Sequence, residues 1–188
     1  MTTSKTSQEF PLVGVGASAG GLESFKRLLG AIPKDSGMAY ILVQHLSPSH
    51  ESTLPEILSR STDIPVQEIT DDCQLKPDHI YVIPENKLLE VTDHSLKLSP
   101  RKEQEQHMPI DMFFSSMAQV HGPMAIGIVL SGTARDGTIG LRDIREHGGL
   151  TFVESPDSAA WTGMPQNAIE AGVVDFILRP EEIPAKLG

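Results

Sequence analysis

The chain changes from strand-like to helix-like patterning within one run of small residues, Val13–Gly21. Residues 16–20 read Gly-Ala-Ser-Ala-Gly and fit the G-x-S-x-G turn, in which small flanking residues let the chain bend sharply and present a serine hydroxyl above a sheet. Gly14, Gly16 and Ala19 also fit the permissive G-x-G-x-x-G/A dinucleotide fingerprint. The run therefore predicts either a nucleophilic serine or a nucleotide-binding turn.

Apolar runs alternate with helical spacing along the rest of the chain, which is typical of a largely parallel α/β sheet. We predict an α/β fold, a three-layer α/β/α sandwich with a mostly parallel central sheet and a small surface hairpin. The predicted strands are 11–15, 39–43, 66–69, 80–83, 125–130, 150–153 and 173–178, with the hairpin at 87–91 and 95–98. The predicted helices are 22–33, 51–60, 111–122, 139–146 and 166–171, with a charged loop at 100–109 and Asp111 as a cap of the third helix.

Polar residues follow three of the apolar runs: Ser18, His45 and Asp136. Sites in such sheets form beyond the carboxyl ends of the strands, so the topology can bring these residues together. Acyl transfer by serine needs a base and a carboxylate that orients the base, and these residue types fit those roles. Taken alone, Ser18 is as typical of a turn or a helix cap as of a nucleophile, His45 is more typical of a strand end, and Asp136 is more typical of a turn or a helix cap. Their coincidence favours a catalytic triad, in an order that differs from that of the α/β-hydrolases.

A serine hydrolase also needs hydrogen-bond donors for the oxyanion. We expect these donors to be backbone N–H groups near Ala19 and Thr133. The dinucleotide hypothesis requires an acidic residue at the end of the second strand, but that strand ends in Gln44 and His45, so the hypothesis loses most of its support. The other histidines lack metal-ligand spacing, and we expect neither a metal nor a cofactor.

Composition restricts the partners and the compartment. The net charge of −10 disfavours nucleic acid or an anionic membrane as a partner, and Cys73, the single cysteine, excludes an intramolecular disulfide. The first residues lack the features of a secretory signal, and no apolar run reaches the roughly 18 residues of a membrane helix. We expect a cytoplasmic protein with a flexible segment at 1–10 and one domain at 11–188.

Five ordered blocks resemble the catalytic domain of the chemotaxis protein-glutamate methylesterase (CheB) family. Residues 16–21 resemble its Gly-Ala-Ser-Thr-Gly-Gly nucleophile turn, 43–45 its histidine block, and 130–137 its Leu-Thr-Gly-Met-Gly-x-Asp-Gly aspartate block. Residues 109–111 and 163–165 match two further blocks. The resemblance covers nearly the whole chain.

The resemblance implies hydrolysis of glutamate γ-methyl esters on the cytoplasmic helices of methyl-accepting chemoreceptors, with release of methanol, in chemotaxis or related two-component signalling. In some members it also implies deamidation of receptor glutamine. By the family pattern Ser18 is the nucleophile, His45 the general base and then acid, and Asp136 the orienting carboxylate.

The chain departs from the family pattern in three ways. Ala19 stands where the family has threonine, and Thr133 where it has methionine, although both leave their backbone amides available. Family enzymes usually carry an amino-terminal receiver domain, whereas only about ten residues precede the first strand here, so we expect no receiver control within this chain. The variant blocks are most similar to esterase domains of larger sensory proteins that also contain a methyltransferase domain.

A second class of function stays open on the sequence alone. A non-catalytic signalling module could keep this fold and bind a methyltransferase domain, a sensory domain or a receptor helix. The residues that favour it are Ala19 and Thr133.

Overall fold

A computed structural model describes residues 10–44, 54–70, 74–84, 87–92, 96–100, 108–133 and 135–187. The strands are β1 Leu12–Ala17, β2 Ala39–Gln44, β3 Val66–Glu68, β4 Ile80–Val82, β5 Lys87–Val91, β6 Leu96–Pro100, β7 Ala125–Val129, β8 Leu150–Glu154 and β9 Phe176–Leu178. The helices are α1 Gly21–Gly30, α2 Leu54–Ser59, α3 Pro109–His121, α4 Thr138–Glu146, α5 Gly163–Glu170 and α6 Ile183–Leu187, with 3₁₀ turns at Gly122–Met124 and Pro180–Glu182. Seven strands form a parallel sheet in the order β3-β4-β2-β1-β7-β8-β9, and β5 and β6 form an antiparallel hairpin.

Helices cover both faces of the sheet because its central strands are apolar throughout. Every residue of β1 and β7 is buried, as parallel strands with two covered faces require. One apolar cluster joins the sheet to α3, α4, α5 and the hairpin, and the other joins it to α1, α2 and α6. The predicted three-layer α/β/α sandwich is confirmed.

Two glycines of β1 let α3 approach the sheet closely. A Cβ atom on Gly14 would lie 2.7 Å from Phe113 Cε2, and one on Gly16 would lie 2.6 Å from Ile110 Cγ2. Both distances are shorter than carbon atoms tolerate in a packed core. The glycines that suggested a dinucleotide fingerprint are therefore needed for the packing of α3.

Gly14→Ala is expected to destabilise the fold by about 1–3 kcal/mol, because the added methyl group overpacks the contact with Phe113. Gly30→Ala is the matched control, since a Cβ there has its nearest neighbour, Ser61 O, at an ordinary 3.5 Å. Chemical denaturation of both variants checks this. Equal stability of the two variants would contradict the packing role.

Some predicted boundaries were wrong. β9 is shorter than the predicted strand 173–178, because the Asp175 carboxylate accepts the Thr151 N–H at 3.0 Å and takes the place of a backbone partner. The hairpin is not a surface feature alone, since Leu89, Val91 and Leu96 pack in the core cluster with α3. The sequence did not indicate α6, a helix of 5 residues.

Other predictions concern residues outside the described ranges: residues 1–9, His45, Cys73 and the loop residues 101–107. Of the helices in the described ranges, none is both long and apolar enough to cross a membrane.

Candidate active site

Ser18 directly follows β1, in a turn that is held from two sides. Its N–H donates to Ser131 O at 2.9 Å, and its carbonyl accepts from Gly21 N–H, at the start of α1, at 2.9 Å. Gly20 has a φ of 75°, and a Cβ there would lie 2.7 Å from Ser131 Oγ. The sharp strand-to-helix turn predicted from the small residues is present.

The Ser18 hydroxyl lies between a backbone donor and a thioether. Thr133 N–H donates to Ser18 Oγ at 3.0 Å, and the hydroxyl donates to Met164 Sδ at 3.4 Å. Ser18 is only 4% exposed. Because a thioether is a weak acceptor, the hydroxyl proton is held loosely and can be passed to a stronger acceptor at little cost.

The Ser131 side chain connects the Ser18 turn to the loop before α5 by hydrogen bonds. Its hydroxyl donates to Ala19 O at 2.7 Å and accepts from Trp161 N–H at 3.0 Å. Gly132 N–H then donates to Trp161 O at 3.0 Å, and Gly132 O accepts from Met164 N–H at 2.9 Å. The residues on either side of the Ser18 hydroxyl are thus held by one continuous hydrogen-bond network.

A fully buried carboxylate, Glu154, supports this network from the end of β8. Its Oε1 accepts from Ser131 N–H at 3.0 Å and from the Ser24 hydroxyl at 2.7 Å, while Oε2 accepts from the Ser158 hydroxyl at 2.7 Å. Arg27 Nη1 lies 3.7 Å from Oε2 and provides the opposite charge. Neither Ser131 nor Glu154 was predicted as a site residue, although each is a polar residue at the carboxyl end of an apolar run.

Asp136 lies on the loop between β7 and α4 and is 1% exposed. Its Oδ2 accepts from Ile110 N–H at 2.9 Å and its Oδ1 from Asp111 N–H at 2.8 Å, so it binds the first turn of α3. The prediction that Asp111 caps its own helix was wrong. Asp111 Oδ1 instead accepts from Gly137 N–H at 2.9 Å and Gly140 N–H at 2.7 Å, at the start of α4.

The two carboxylates are therefore exchanged between the helices: Asp136, which precedes α4, binds the N-terminus of α3, and Asp111, which lies in α3, binds the N-terminus of α4. Asp111 does not cap α3 because it lies inside this helix, whereas an N-terminal cap residue precedes its helix. Both carboxylates lie where the partial positive charge of a helix N-terminus stabilises an anion. Burial raises the pKa of Asp111 to about 6; the Gly140 N–H lowers it and the charge of Asp136 raises it.

The structure places some of the predicted site residues together. Ser18 contacts Thr133, and Asp136 lies three residues further along the same loop. The Ala19 N–H makes no hydrogen bond to another residue of the described ranges. His45 lies outside the described residues, but Gln44, which precedes it, pairs with Ala17, which precedes Ser18. Among the described residues, no three His, Cys, Asp or Glu side chains form a metal-binding group.

A parallel α/β sheet with a buried serine on a strand-to-helix turn, next to a backbone donor, is the arrangement of a serine hydrolase. The chain belongs to the CheB methylesterase family, whose model matches residues 13–187.

Individual relatives agree with this assignment. A Leptospira interrogans protein named as a candidate protein-glutamate methylesterase/protein-glutamine glutaminase is 32% identical over 93% of this chain and 91% of its own length. The Photorhabdus laumondii protein-glutamate methylesterase/protein-glutamine glutaminase is 31% identical over 89% of this chain, which spans only 49% of that relative. The crystal structure of the Thermotoga maritima CheB methylesterase catalytic domain superposes with a TM-score of 0.85 at 26% identity, covering 95% of this chain and 97% of that one.

Proposed function

We propose that this protein hydrolyses γ-methyl esters of glutamate side chains on the cytoplasmic helices of chemoreceptors. The observation that carries the proposal is the buried Ser18 hydroxyl, held at the carboxyl edge of the sheet with the Thr133 N–H donating to it. The family assignment and the names of the relatives supply the substrate class. The proposed catalytic domain is 11–188, and its proposed setting is cytoplasmic two-component signalling.

The proposed nucleophile is Ser18, with His45 as the general base and Asp136 as the carboxylate that orients it. Ser18 Oγ attacks the ester carbonyl while the base takes the hydroxyl proton, and that proton then leaves with the methoxy group as methanol. Water attacks the resulting acyl-enzyme with help from the same base, which returns the proton to Ser18 and frees the glutamate carboxylate. The pairing of Ala17 with Gln44 supports this assignment, because the chain leaves β1 and β2 side by side.

The Thr133 N–H is the proposed oxyanion donor. The attacking Oγ and the oxyanion are bonded to the same carbon in the tetrahedral intermediate, so a donor 3.0 Å from Oγ at rest is within reach of the oxyanion after a small rotation. The Ala19 N–H is the proposed second donor. Both contributions come from the backbone, so the departures from the family side chains at these positions leave the chemistry intact.

Glutamine deamidation is proposed as a second reaction of the same site. The amide carbonyl passes through the same kind of tetrahedral intermediate, with ammonia instead of methanol as the leaving group. The relatives' names combine the two activities. We further propose that a methyltransferase or sensory domain, in the same or another chain, is a partner of this domain.

The test is methanol release from methylated cytoplasmic receptor fragments, with unmethylated fragments as the blank. Steady release that scales with protein concentration is expected. If the folded protein binds the fragments but releases no methanol from them or from a small glutamate methyl ester, the esterase proposal is wrong and the non-catalytic signalling module is favoured.

Gly132→Ala is expected to lower methanol release by about a hundredfold or more, since a misplacement of about 1 Å at a reacting group costs that much. A Cβ at this position would overlap Ser18 Oγ and would lie 2.5 Å from Met164 Sδ. Gly30→Ala, away from these contacts, should release methanol at the parent rate. Equal activity of the two variants would contradict the proposed position of the reacting hydroxyl.

A further inference from the structure

Asp111 is a buried carboxyl group to which the proposed reaction gives no role. It is 8% exposed and acts on two successive residues of the β7–α4 loop. Its backbone N–H binds the Asp136 carboxylate, and its own Oδ1 binds the N–H of Gly137. A single residue of α3 thus holds both the side chain of Asp136 and the backbone that follows it.

We propose that Asp111 is a positioning residue for Asp136. We further propose that protonation of Asp111 weakens the interaction by which Asp136 orients the catalytic base and stabilises its imidazolium. This inference rests on the proposed function, because only there is Asp136 the orienting carboxylate. Asp111 touches no reacting atom in this scheme. It acts through the geometry and the charge of Asp136.

The two oxygens of Asp111 have different surroundings. Oδ1 accepts both N–H groups of the α4 terminus, whereas Oδ2 is buried and has no hydrogen-bond partner among the described residues. A proton on Oδ2 would turn this orphaned acceptor into a donor. Since an unsatisfied buried acceptor is costly, the site favours the protonated form more than water does.

The pKa of Asp111, raised to about 6, agrees with this geometry. Burial is the largest cause; the Gly140 N–H opposes it, and the negative charge of Asp136 adds to it. A hydrogen bond from protonated Asp111 to the Asp136 side chain raises the pKa further. Asp111 is therefore mostly ionised at about pH 8 and mostly protonated at about pH 5.

The other charged groups that the structure describes around α3 have other partners or are exposed to solvent. On α4, Asp143 accepts from the Ser115 hydroxyl, Arg142 is exposed, and Arg145 pairs with Asp175. On the hairpin, Lys87, Glu90 and Lys97 are exposed, and the described residues of β1 and β7 carry no titratable side chain. Arg135, next to Asp136 in the chain, is also exposed. Within the described ranges, Asp136 is therefore the charged group to which Asp111 responds.

Protonation affects the base in two ways. A donor on Asp111 occupies part of the Asp136 carboxylate, which already accepts two backbone N–H groups and has about four acceptor positions in all. Protonation also removes a negative charge that would stabilise the imidazolium formed when the base takes up the Ser18 proton. Both effects slow the acyl-transfer step and leave substrate binding unchanged.

Asp111→Asn tests this directly, because the amide oxygen can keep both α4 hydrogen bonds while the NH₂ group donates to Asp136 at every pH. The measurement is kcat and KM for methanol release by parent and variant from about pH 5 to about pH 8. We expect an unchanged KM and a parent-to-variant kcat ratio that rises from about one at the acid end to about ten or more at the alkaline end, with a midpoint near 6. Because the charge of Asp111 also acts on the imidazolium, the pKa of the base is fitted separately in the parent and variant profiles before the ratio is formed.

A parent-to-variant kcat ratio that does not change with pH, whatever its value, would overturn the proposal. Asp111 would then be only a structural cap of α4. A parent that releases no methanol at any pH would instead overturn the proposed function. If the variant does not fold, as judged by its melting temperature, the carboxyl resonance of Asp111 in the parent is titrated by NMR. A midpoint that falls on the Asp136→Asn substitution supports the coupling, and a midpoint that this substitution leaves unchanged overturns it.

Discussion

Ser18→Ala is expected to reduce methanol release from methylated receptor fragments by at least about a thousandfold, because members of a catalytic triad act as a unit. The variant loses the nucleophilic oxygen but keeps the backbone hydrogen bonds that form the turn, from Ser18 N–H to Ser131 O and from Gly21 N–H to Ser18 O. Its melting temperature should therefore stay close to that of the parent. Methanol release and thermal melting of the same preparations check both expectations.

The matched control is Ser59→Ala. Ser59 is an exposed serine at the end of α2, and its hydroxyl bonds only locally, to Glu56 O at 2.8 Å. This variant should retain the parent activity. If folded Ser18→Ala retains substantial activity, the nucleophile has been misassigned.

Asp136→Asn is the second change with a large expected effect, a loss in kcat of the order of 10⁴-fold, because an amide would hold the histidine in the wrong tautomer. The structure adds a second cost. Both Asp136 oxygens accept backbone N–H groups of α3, so either orientation of an amide points its NH₂ group at one of these donors. One buried N–H then lacks an acceptor, which costs about 1–3 kcal/mol in stability.

Asp63→Asn serves as the control for this change, because Asp63 is exposed. It should leave activity and stability at the parent values. Denaturation and kinetics together separate the two roles of Asp136. A variant that is destabilised but turns over at the parent rate would show that Asp136 is only a cap of α3.

The sheet could be predicted from the sequence because its signals are local. The segments around Val13–Val15, Ala39–Val43 and Ala125–Val129 are apolar without alternation, and such runs are typical of parallel strands buried on both faces. The turn at Ser18 was equally visible, since its small residues leave room for a bend that larger side chains would block. The carboxyl ends of the predicted parallel strands then indicated where the candidate active site would form.

The supports of the candidate site could not be predicted, because each joins elements that are distant in sequence. Glu154 and Ser131, which share a hydrogen bond, are 23 residues apart in the sequence. Ser18 and Met164, whose side chains are also hydrogen-bonded, are 146 residues apart. Nothing in the local pattern around Glu154 distinguishes a buried carboxylate from an exposed one. Burial and partner both arise from the convergence of β7 and β8.

The sequence by itself determined the order of the strands and of helices α1 to α5, the serine turn and the family, since these depend on side-chain size and apolar spacing over neighbouring residues. Only the tertiary structure decided which carboxylate binds which helix. The spacing suggested that Asp111 caps α3, but α3 and α4 pack so that Asp111 binds the start of α4 and Asp136 the start of α3. Hydrogen bonds of this kind depend on the distance between folded segments, and a linear pattern does not contain that distance.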